Sequence, residues 1–334
     1  RSKSMSSPAF GRQAKRISTR FANSFLYIDK VTRPDQSFAM TATSTIDPAS
    51  LSRAKAAGDQ TDPSFATTLA HGLDVLAAFR NRSGSLSNAE LALHTGLSRP
   101  TVSRLTYTLA SLGYLIYDPA LGRYSIGPAT ISLGYSGLST SAVIYMAKPL
   151  MQALAFETGV AVAMGTRDGL EMVYIANCRP ETPVTLRLNV GSRLPIWKTS
   201  MGLAYIAAME EPIRDAIMQR LFTTYPEIRD EIQRAIDHGL ESYARHGFVT
   251  SFGDWYSYIN AVGMPFRPTD GSQLVAITCG GIKDLAPVEE CLSNFVPRLR
   301  KLLEELQGGL TGARPPNLQH QIATTPHSAR VELG

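Results

Sequence analysis

Apolar residues begin to recur at helical spacing near residue 65, and such series appear repeatedly before residue 113. The first series predicts a helix over about 67–80, and its members are Leu69, Leu73, Leu76 and Phe79. Ser87 and Glu90 have the spacing of a capping box and predict a second helix, which Gly96 ends. Ser98 predicts the start of a third helix, whose apolar side is Val102, Leu105, Leu109 and Leu112.

Two strand-like runs follow the third helix. Residues 114–117 and 123–126 are rich in Tyr, Ile and Leu, and Pro119 and Gly122 between them mark a turn. Three helices with a tight turn between the second and third, followed by a hairpin, predict a winged helix-turn-helix over residues 65–126.

Residues 141–307 combine helical patterns with hairpins. Predicted helices cover about 141–157, 200–209, 211–222, 227–245 and 287–307. Predicted strands cover about 160–166, 170–177, 183–190, 259–266 and 273–280. Hairpins joined to helices indicate an antiparallel sheet covered by helices, so the expected fold class is α+β.

The two ends of the chain differ from this middle part. Residues 1–64 are rich in Ser, Thr, Ala and Pro without a hydrophobic period, and we expect a disordered basic and polar leader. Met40 is a possible natural start, and an organellar transit peptide is the alternative interpretation of the leader. Residues 308–334 are expected to form a disordered tail.

Charge is concentrated in the leader. The formal net charge of the chain is +5, and residues 1–39 hold eight Lys/Arg against two Asp/Glu. The remaining residues hold 25 Lys/Arg against 26 Asp/Glu. The overall charge therefore gives no argument for a nucleic-acid partner of the folded part.

Several kinds of chemistry are disfavoured. No uninterrupted apolar run approaches the roughly 18 residues of a membrane span, so no membrane partner is expected. Cys178, Cys279 and Cys291 form no CxxC pair, which disfavours a disulfide framework and structural zinc and favours a cytoplasmic location. We expect no catalytic residues, no metal and no cofactor. An enzyme using Cys279 and His246 as nucleophile and base is the weaker alternative.

The third helix has a polar face suited to DNA. No acidic residue occurs between Leu91 and Asp118, and Arg, Thr and Ser are side chains that contact bases and phosphates. The candidate DNA-binding residues are Ser98, Arg99, Thr101, Ser103, Arg104 and Tyr107, with Arg123 in the hairpin for a phosphate or minor-groove contact. Residues 65–140 carry only five Lys/Arg against three Asp/Glu, so one copy should bind weakly. A helical bundle with a polar surface is the alternative.

A second candidate site lies further along the chain. Thr199 and Ser200 precede an apolar helix, and the free N–H groups and positive dipole of a helix start suit a carboxylate. Asn260 and Thr278 interrupt apolar strands, as polar residues do in small-ligand pockets. The alternative is that these residues have structural roles only.

Both regions resemble one bacterial family. The run ELALHTGLSRPTVSRLTYTLASLGYLIYDPALGRYSIGPATISLG resembles the DNA-binding domain of IclR-type regulators. The runs GSRLPIWKTSMGLAYIA, RHGFVTSFGDWYSYINAVGMPF and GSQLVAITCGG resemble their effector domain. The resemblance covers about residues 65–307. It implies a linker helix over 127–140 and a GAF-like effector-binding domain over 141–307.

The resemblance also implies a function. A one-component transcription regulator is expected to bind a palindromic operator in double-stranded DNA and a small organic carboxylate effector. It is expected to act as a homo-oligomer, either a dimer or a dimer of dimers. The alternative is a constitutive DNA-binding protein whose C-terminal domain only oligomerises.

Matching positions give the expected effector site. They are Ser200, Met201, Thr250, Asn260, Thr278 and Gly280, with Leu186, Leu194, Trp197 and Tyr258 as walls. Trp197 and Leu203 stand where the family usually has His and a basic residue, which argues against a glyoxylate-like effector. Family members often have a carboxylate at or beside Thr250, a small residue or Cys at Asn260 and a serine at Gly280. Since Trp197 and Tyr258 could stack on a ring, an aromatic acid is expected. A short aliphatic keto or hydroxy acid is the alternative.

Overall fold

The computed structural model describes residues 64–80, 84–181 and 188–312. Four expectations fall wholly or largely outside these residues: the leader over 1–64, the strand over 183–190, the effector-wall residue Leu186 and the tail over 308–334. The chain divides into two compact units between Gly127 and Pro128. Among the described helices, none combines the length and apolarity that a membrane crossing requires.

The described residues of the first unit form three helices and a two-stranded hairpin, as the sequence predicts for a winged helix-turn-helix. They are α1 (Thr67–Ala77), α2 (Asn88–Thr95), α3 (Arg99–Ser111), β1 (Leu115–Asp118) and β2 (Arg123–Ile126). The core includes Val75, Leu91, Val102 and Leu115. Leu69, Leu73 and Leu112 were expected on buried faces but are exposed. Helix α1 packs through Gly72 and Val75 instead, and Leu112 is the residue directly after the last turn of α3.

The helix starts of this unit have the expected caps. The Ser87 Oγ accepts from the Glu90 N–H at 3.3 Å, and a Glu90 carboxylate oxygen accepts from the Ser87 N–H at 2.8 Å. Gly96 ends α2 with a φ of +70°, a conformation that glycine adopts without strain. Ser98 then caps α3 by accepting from the Thr101 N–H. Gly96 and Ser98 together set the tight turn between α2 and α3.

One arginine ties the hairpin to the start of α2. Arg123 donates from Nη2 to the Ser85 carbonyl oxygen at 2.6 Å and to a Glu90 carboxylate oxygen at 3.0 Å. Beside it, Leu86 and Tyr124 exchange two backbone hydrogen bonds of 2.8 Å. Hydrogen bonds from Ser87 and then from Arg123 lower the pKa of Glu90 to about 2.

The second unit consists of helices around one antiparallel sheet. Its helices are α4 (Pro128–Ser139), α5 (Ala142–Thr158), α6 (Ser200–Ala207), α7 (Glu211–Thr224), α8 (Arg229–His246), α9 (Val288–Glu290) and α10 (Val296–Gly312). Its strands are β3 (Ala161–Asp168), β4 (Glu171–Cys178), β5 (Arg193–Pro195), β6 (Val249–Phe252), β7 (Ile259–Phe266) and β8 (Val275–Ile282). The strand order is β5-β4-β3-β8-β7-β6. Strands β5 and β6 had no counterpart in the sequence analysis.

Helices cover both faces of the sheet. One face packs against α5 and α10, with Met151, Val162 and Leu299 buried between them. The other face packs against α6, which α8 covers in turn, with Met201 and Ile236 buried there. The fold is therefore α+β. Successive residues of the central strands point alternately into the core formed with α5 and α10 and into the core formed with α6 and α8.

The closing helix is longer than the sequence suggested. A π-helical segment, Cys291–Phe295, joins α9 to α10, and α10 continues through Gly312. The expected boundary at residue 307 is therefore wrong. Leu310 lies four residues beyond Leu306 on the same helical side, and both are buried in the core formed with α5.

Acidification should loosen the hairpin of the first unit. Glu90 has a folded-state pKa of about 2 against 4.5 ordinarily, so its stabilisation is complete above pH 4.5 and disappears towards pH 2. We expect Glu90→Gln to speed amide exchange at Leu86 and Tyr124 at neutral pH. The difference from the native chain should shrink as the pH falls below 4.5. Hydrogen–deuterium exchange measures both effects.

Glu241→Gln is the matched control, because Glu241 pairs with Arg245 on the exposed surface of α8. This change should leave exchange at Leu86 and Tyr124 unaltered. Equal exchange in the native chain and Glu90→Gln at neutral pH would contradict the assigned role of Glu90.

Candidate functional site

Helix α3 presents a polar face to solvent. Its expected DNA-contacting residues are exposed or, for Thr101, partly exposed: Ser98, Arg99, Thr101, Ser103, Arg104 and Tyr107. On the opposite side, Val102 and Thr106 are buried, and the Thr106 hydroxyl donates to the Asn88 side-chain oxygen at 3.1 Å. This bond fixes α3 to α2, so the polar face is held in place and accessible.

Arg123 requires a correction. The sequence analysis gave it a phosphate or minor-groove contact, but its Nε and Nη2 atoms donate to Ser85, and Nη2 also contacts Glu90. A guanidinium with these partners orders the hairpin. The separation of Ser85 and Arg123 in sequence concealed this role.

A cavity lies between the sheet and the start of α6. Four residues opposite one another across four strands form one part of its wall: Ala161, Gly280, Ala261 and Ser251. The next row contributes Ala163 and Thr278. These side chains are small, so they leave space beneath the helix. The cavity volume is about 40 Å³, which is enough to hold more than one water molecule.

The first turn of α6 forms the opposite wall. Thr199 caps the helix by accepting from the Gly202 N–H at 3.1 Å, and it donates to the Pro195 carbonyl oxygen at 3.3 Å. Ser200 and Met201 are the first two residues of the helix, before Leu203 makes the first hydrogen bond of the helical pattern. Their own N–H groups therefore have no partner within the helix. Both residues line the cavity. A carboxylate placed there would meet these donors and the positive end of the helix.

Glycines bring this helix start close to the sheet. A Cβ at Gly202 would lie 2.0 Å from the Ile196 carbonyl oxygen, and one at Gly263 would lie 2.6 Å from the Ser200 carbonyl oxygen. No side chain larger than hydrogen fits at either position without moving backbone. The glycines therefore determine how closely the helix start approaches the sheet.

A β-bulge shapes the other end of the cavity. Met164 pairs with Ala176, but Gly165 pairs with Tyr174, so Ile175 is an extra residue in β4. Tyr174 and Asn177 are three residues apart, and in a regular strand two such side chains would lie on opposite faces of the sheet. The extra residue between them shifts the alternation, so that both side chains lie on the same face. As a result, Tyr174 and Asn177 both line the cavity.

Tyr174 and Asn177 differ in how they are satisfied. Burial raises the pKa of Tyr174 to about 12 despite its hydrogen bond with Thr278, so this phenol stays neutral. The Asn177 Nδ2 donates to the carbonyl oxygen of Leu188. Its Oδ1 is buried and has no hydrogen-bond partner in the described part of the chain.

The structure brings together part of the expected effector site. Ser200, Met201, Thr278, Gly280 and Leu194 line the cavity. Asn260 and Thr250 do not: they share the face of Val262, which belongs to the core formed with α5 and α10. The Asn260 amide instead donates to the Ala286 carbonyl oxygen at 2.9 Å.

The prediction at these two positions is wrong by one residue in each strand. Because successive side chains of a strand point to opposite faces, a shift of one residue places a side chain on the wrong face of the sheet. The neighbouring residues Ser251, Ile259 and Ala261 line the cavity instead. Alternation is hard to read here because both faces of the central strands are buried.

The expected aromatic walls also require correction. Trp197 is buried in the core on the α6 side of the sheet, and Tyr258 stacks on Tyr256 with ring centres 5.5 Å apart. Neither lines the cavity, whereas Trp255 does. Trp255 lies in the run WYSY, where nothing in the spacing distinguishes it from its neighbours. Tyr174 and Asn177 were also missed, because the bulge is not visible in the sequence.

Comparisons with known proteins agree across both units. Residues 68–119 match the family model for the IclR helix-turn-helix domain, and residues 136–306 match that for the bacterial transcriptional regulator IclR C-terminal domain. The HTH-type transcriptional regulator TsaQ1/TsaQ2 of Comamonas testosteroni is 31% identical over 259 residues, covering 75% of this chain and 91% of that protein.

Two solved structures extend the comparison. An IclR family transcriptional regulator from Brucella abortus has a TM-score of 0.69 and 37% identity, covering 74% of this chain and 94% of its own. An IclR homolog from Microbacterium hydrocarbonoxydans, solved with 4-hydroxybenzoate, has a TM-score of 0.59 and 18% identity. It covers 74% of this chain and all of its own (100%), and at that identity it shows the fold alone.

Removing the α6 cap should destabilise the second unit. Thr199→Val keeps the side-chain shape but loses the hydroxyl that binds the Gly202 N–H. We expect the free energy of unfolding to fall by about 1 kcal/mol. Both tryptophans, Trp197 and Trp255, lie in this unit, so urea unfolding followed by their fluorescence measures the change.

Thr199→Ser is the control, since it retains the hydroxyl. It should remain within a few tenths of a kcal/mol of the native chain. An unchanged free energy of unfolding in Thr199→Val would contradict the stabilising role of the cap.

Proposed function

Because the chain belongs to the IclR family of bacterial transcriptional regulators, we propose that it couples binding of an aromatic carboxylate to its affinity for a palindromic operator. Its named relatives are transcriptional regulators, and this chain is likewise a DNA-binding regulator rather than an enzyme. The observation that carries the effector proposal is the cavity beside the capped start of α6. The proposed organisation is a DNA-binding domain over 65–126, a linker helix over 127–140 and an effector domain from 141 onward.

The chemistry of the cavity favours a carboxylate. The N–H groups of Ser200 and Met201 are available donors at a helix start, and Thr278 adds a hydroxyl to the same wall. The donors belong to a capped helix packed closely on the sheet, so they are oriented before the ligand arrives. A preorganised donor set binds an anion at a smaller entropic cost.

The apolar lining favours an aromatic acid over a short aliphatic one. Met201, Leu194 and Ile259 provide apolar surface, and Trp255 provides an indole ring against which a ligand ring can pack. The Microbacterium homolog holds an aromatic acid, but the likeness to that protein is one of fold. The proposed ligand class therefore rests on the side chains of this cavity.

DNA binding is assigned to the exposed face of α3. Arg99, Ser103 and Arg104 project from a helix of the type that enters the major groove. Arg104 is the best candidate for a guanine, because arginine can bind the O6 and N7 atoms of that base together.

The proposed active form is a homo-oligomer, either a dimer or a dimer of dimers. Helix α4 has no buried residue, and its Ile131, Leu133 and Tyr135 are 67%, 65% and 70% exposed. A short helix that packs on its own unit mainly through Leu138 is marginal in water, so these exposed apolar residues need a cover. A second copy supplies that cover and provides the second reading head that a palindromic operator requires.

Calorimetry tests the effector class. Benzoate should release or absorb heat on binding to the full chain, whereas pyruvate and glyoxylate should give none. Ala261→Leu should abolish the benzoate signal, because the larger side chain enters the cavity wall.

Thr250→Leu is the control for that variant, since Thr250 lies on the other face of the sheet. It should bind benzoate as the native chain does. Heat only with pyruvate or glyoxylate would refute the aromatic assignment. Heat with none of the acids would refute the carboxylate proposal.

Loss of Arg104 should weaken and broaden DNA recognition. Using a duplex selected from random sequence by the native chain, we expect Arg104→Ala to cost about 1–3 kcal/mol of binding free energy and to relax the preference at one base pair. Arg245→Ala removes the same charge from an exposed position on α8 and should bind normally. Unchanged affinity of Arg104→Ala would exclude this residue from base reading.

A further inference from the structure

The tip of the hairpin in the first unit, residues 118–122, presents an exposed leucine. The tip reads Asp-Pro-Ala-Leu-Gly, and Leu121 is 66% exposed. We propose that Leu121 enters the minor groove of double-stranded DNA as an apolar wedge, beside the major-groove site of α3, and selects operators with an easily unstacked base step there. This inference rests on the assignment of DNA binding to α3 and deepens it.

The charges of the hairpin do not suit a phosphate contact at the tip. Arg123, the basic residue next to the tip, donates to the Ser85 carbonyl oxygen and to Glu90. Asp118 is the one charged residue within residues 118–122, and its carboxylate repels phosphate. Contacts to the DNA backbone are made by cations and hydrogen-bond donors. The side chain that the tip offers to a partner is therefore the apolar Leu121.

The turn that carries Leu121 is ordered by Asp118. The Asp118 Oδ1 accepts from the Ala120 N–H at 2.9 Å and from the Leu121 N–H at 3.2 Å. Gly122 follows with a φ of +63°, which returns the chain to β2. The carboxylate thus binds the backbone of its own turn, and Leu121 is held in one place.

The base of the hairpin is rigid as well. Tyr124 exchanges two backbone hydrogen bonds with Leu86, and its ring packs on that of Tyr117 with ring centres 4.8 Å apart. Arg123 adds its hydrogen bonds to Ser85. A wedge that is ordered before it meets DNA loses less conformational entropy on insertion. The exposed leucine therefore stands on a preorganised support.

The hairpin starts where α3 ends, so it can reach the groove next to the one that α3 enters. The Tyr114 N–H donates to the Leu109 carbonyl oxygen at 2.9 Å, and β1 begins at Leu115. Four strand residues span about 13 Å, which is comparable with the roughly 12 Å width of the major groove. With α3 in the major groove, we expect the tip to pass the phosphate backbone and meet the neighbouring minor groove.

Leucine is one of the side chains that proteins insert between base steps from the minor groove, which kinks the duplex. The cost of unstacking is smallest at the pyrimidine–purine steps TA and CA. An inserted Leu121 would therefore favour such a step although it forms no hydrogen bond with a base. This preference adds to the one that Arg104 is proposed to impose from α3.

Loss of the leucine side chain tests the wedge. The duplex is one selected from random sequence by the full native chain, with a dye at each end so that energy transfer measures its bend. We expect Leu121→Ala to bind about five-fold more weakly and to bend the duplex less. The dependence of affinity on salt should stay the same, because an apolar wedge releases no counterions.

The selected sequences provide a second measurement. Duplexes selected by the native chain should share a TA or CA step at a fixed distance from the base pairs that require Arg104. Selection with Leu121→Ala should lose the preference at this step and keep the preference at those base pairs.

Three variants serve as controls. Leu285→Ala makes the same change at an exposed position of the second unit and should bind and bend DNA normally. Leu121→Met keeps a large apolar side chain and should retain the bend. Leu121→Lys should not restore the bend, and it should steepen the slope of log affinity against log salt by about one.

Each outcome has one meaning. Unchanged affinity or an unchanged bend in Leu121→Ala would overturn the wedge, while weaker binding by Arg104→Ala would leave the assignment of α3 intact. A lower oligomeric mass of Leu121→Ala with normal DNA binding would also overturn it, by assigning the tip to a contact between copies. Failure of the native chain to select any duplex would overturn the DNA-binding proposal together with this inference.

Discussion

The close approach of helix α6 to the sheet is the constraint on which the proposed effector site depends. The approach is possible because Gly202 and Gly263 lack side chains where a Cβ would meet backbone oxygens at 2.0 Å and 2.6 Å. It brings the first N–H groups of the helix to the cavity wall, while the Thr199 cap satisfies the next donor. Backbone positions set in this way are more rigid than long charged side chains would be, which suits selective binding of a small anion.

The sheet contributes the second half of the site through its faces. Small residues on adjacent strands leave space, and the bulge in β4 adds Tyr174 and Asn177 to the same side. The opposite face of the same strands fills a separate core with α5 and α10. A shift of one residue in any strand would exchange a cavity residue for a core residue, so the register decides the chemistry of the cavity.

The helices and hairpin of the first unit use their few charges in two different ways. Arg123 and Glu90 hold the hairpin against the start of α2, whereas Arg99 and Arg104 remain exposed on α3. The number of arginines therefore overstates how many can face DNA. The small number of exposed arginines on α3 and the exposed apolar residues of α4 are the two reasons for proposing a homo-oligomer.

The sequence by itself determined the α+β class, the helix-turn-helix and the helix starts, because caps, turns and apolar periods depend on residues close in the chain. Ser87 with Glu90, Ser98 and Thr199 all act as their local patterns indicated. The family also followed from local runs in both domains. Only the tertiary structure decided which strand residues face the cavity, that Trp255 rather than Trp197 lines it, and that Arg123 is held by Ser85. These facts depend on strand register, a bulge and contacts between distant segments, and a strand buried on both faces gives no polar alternation from which to infer them.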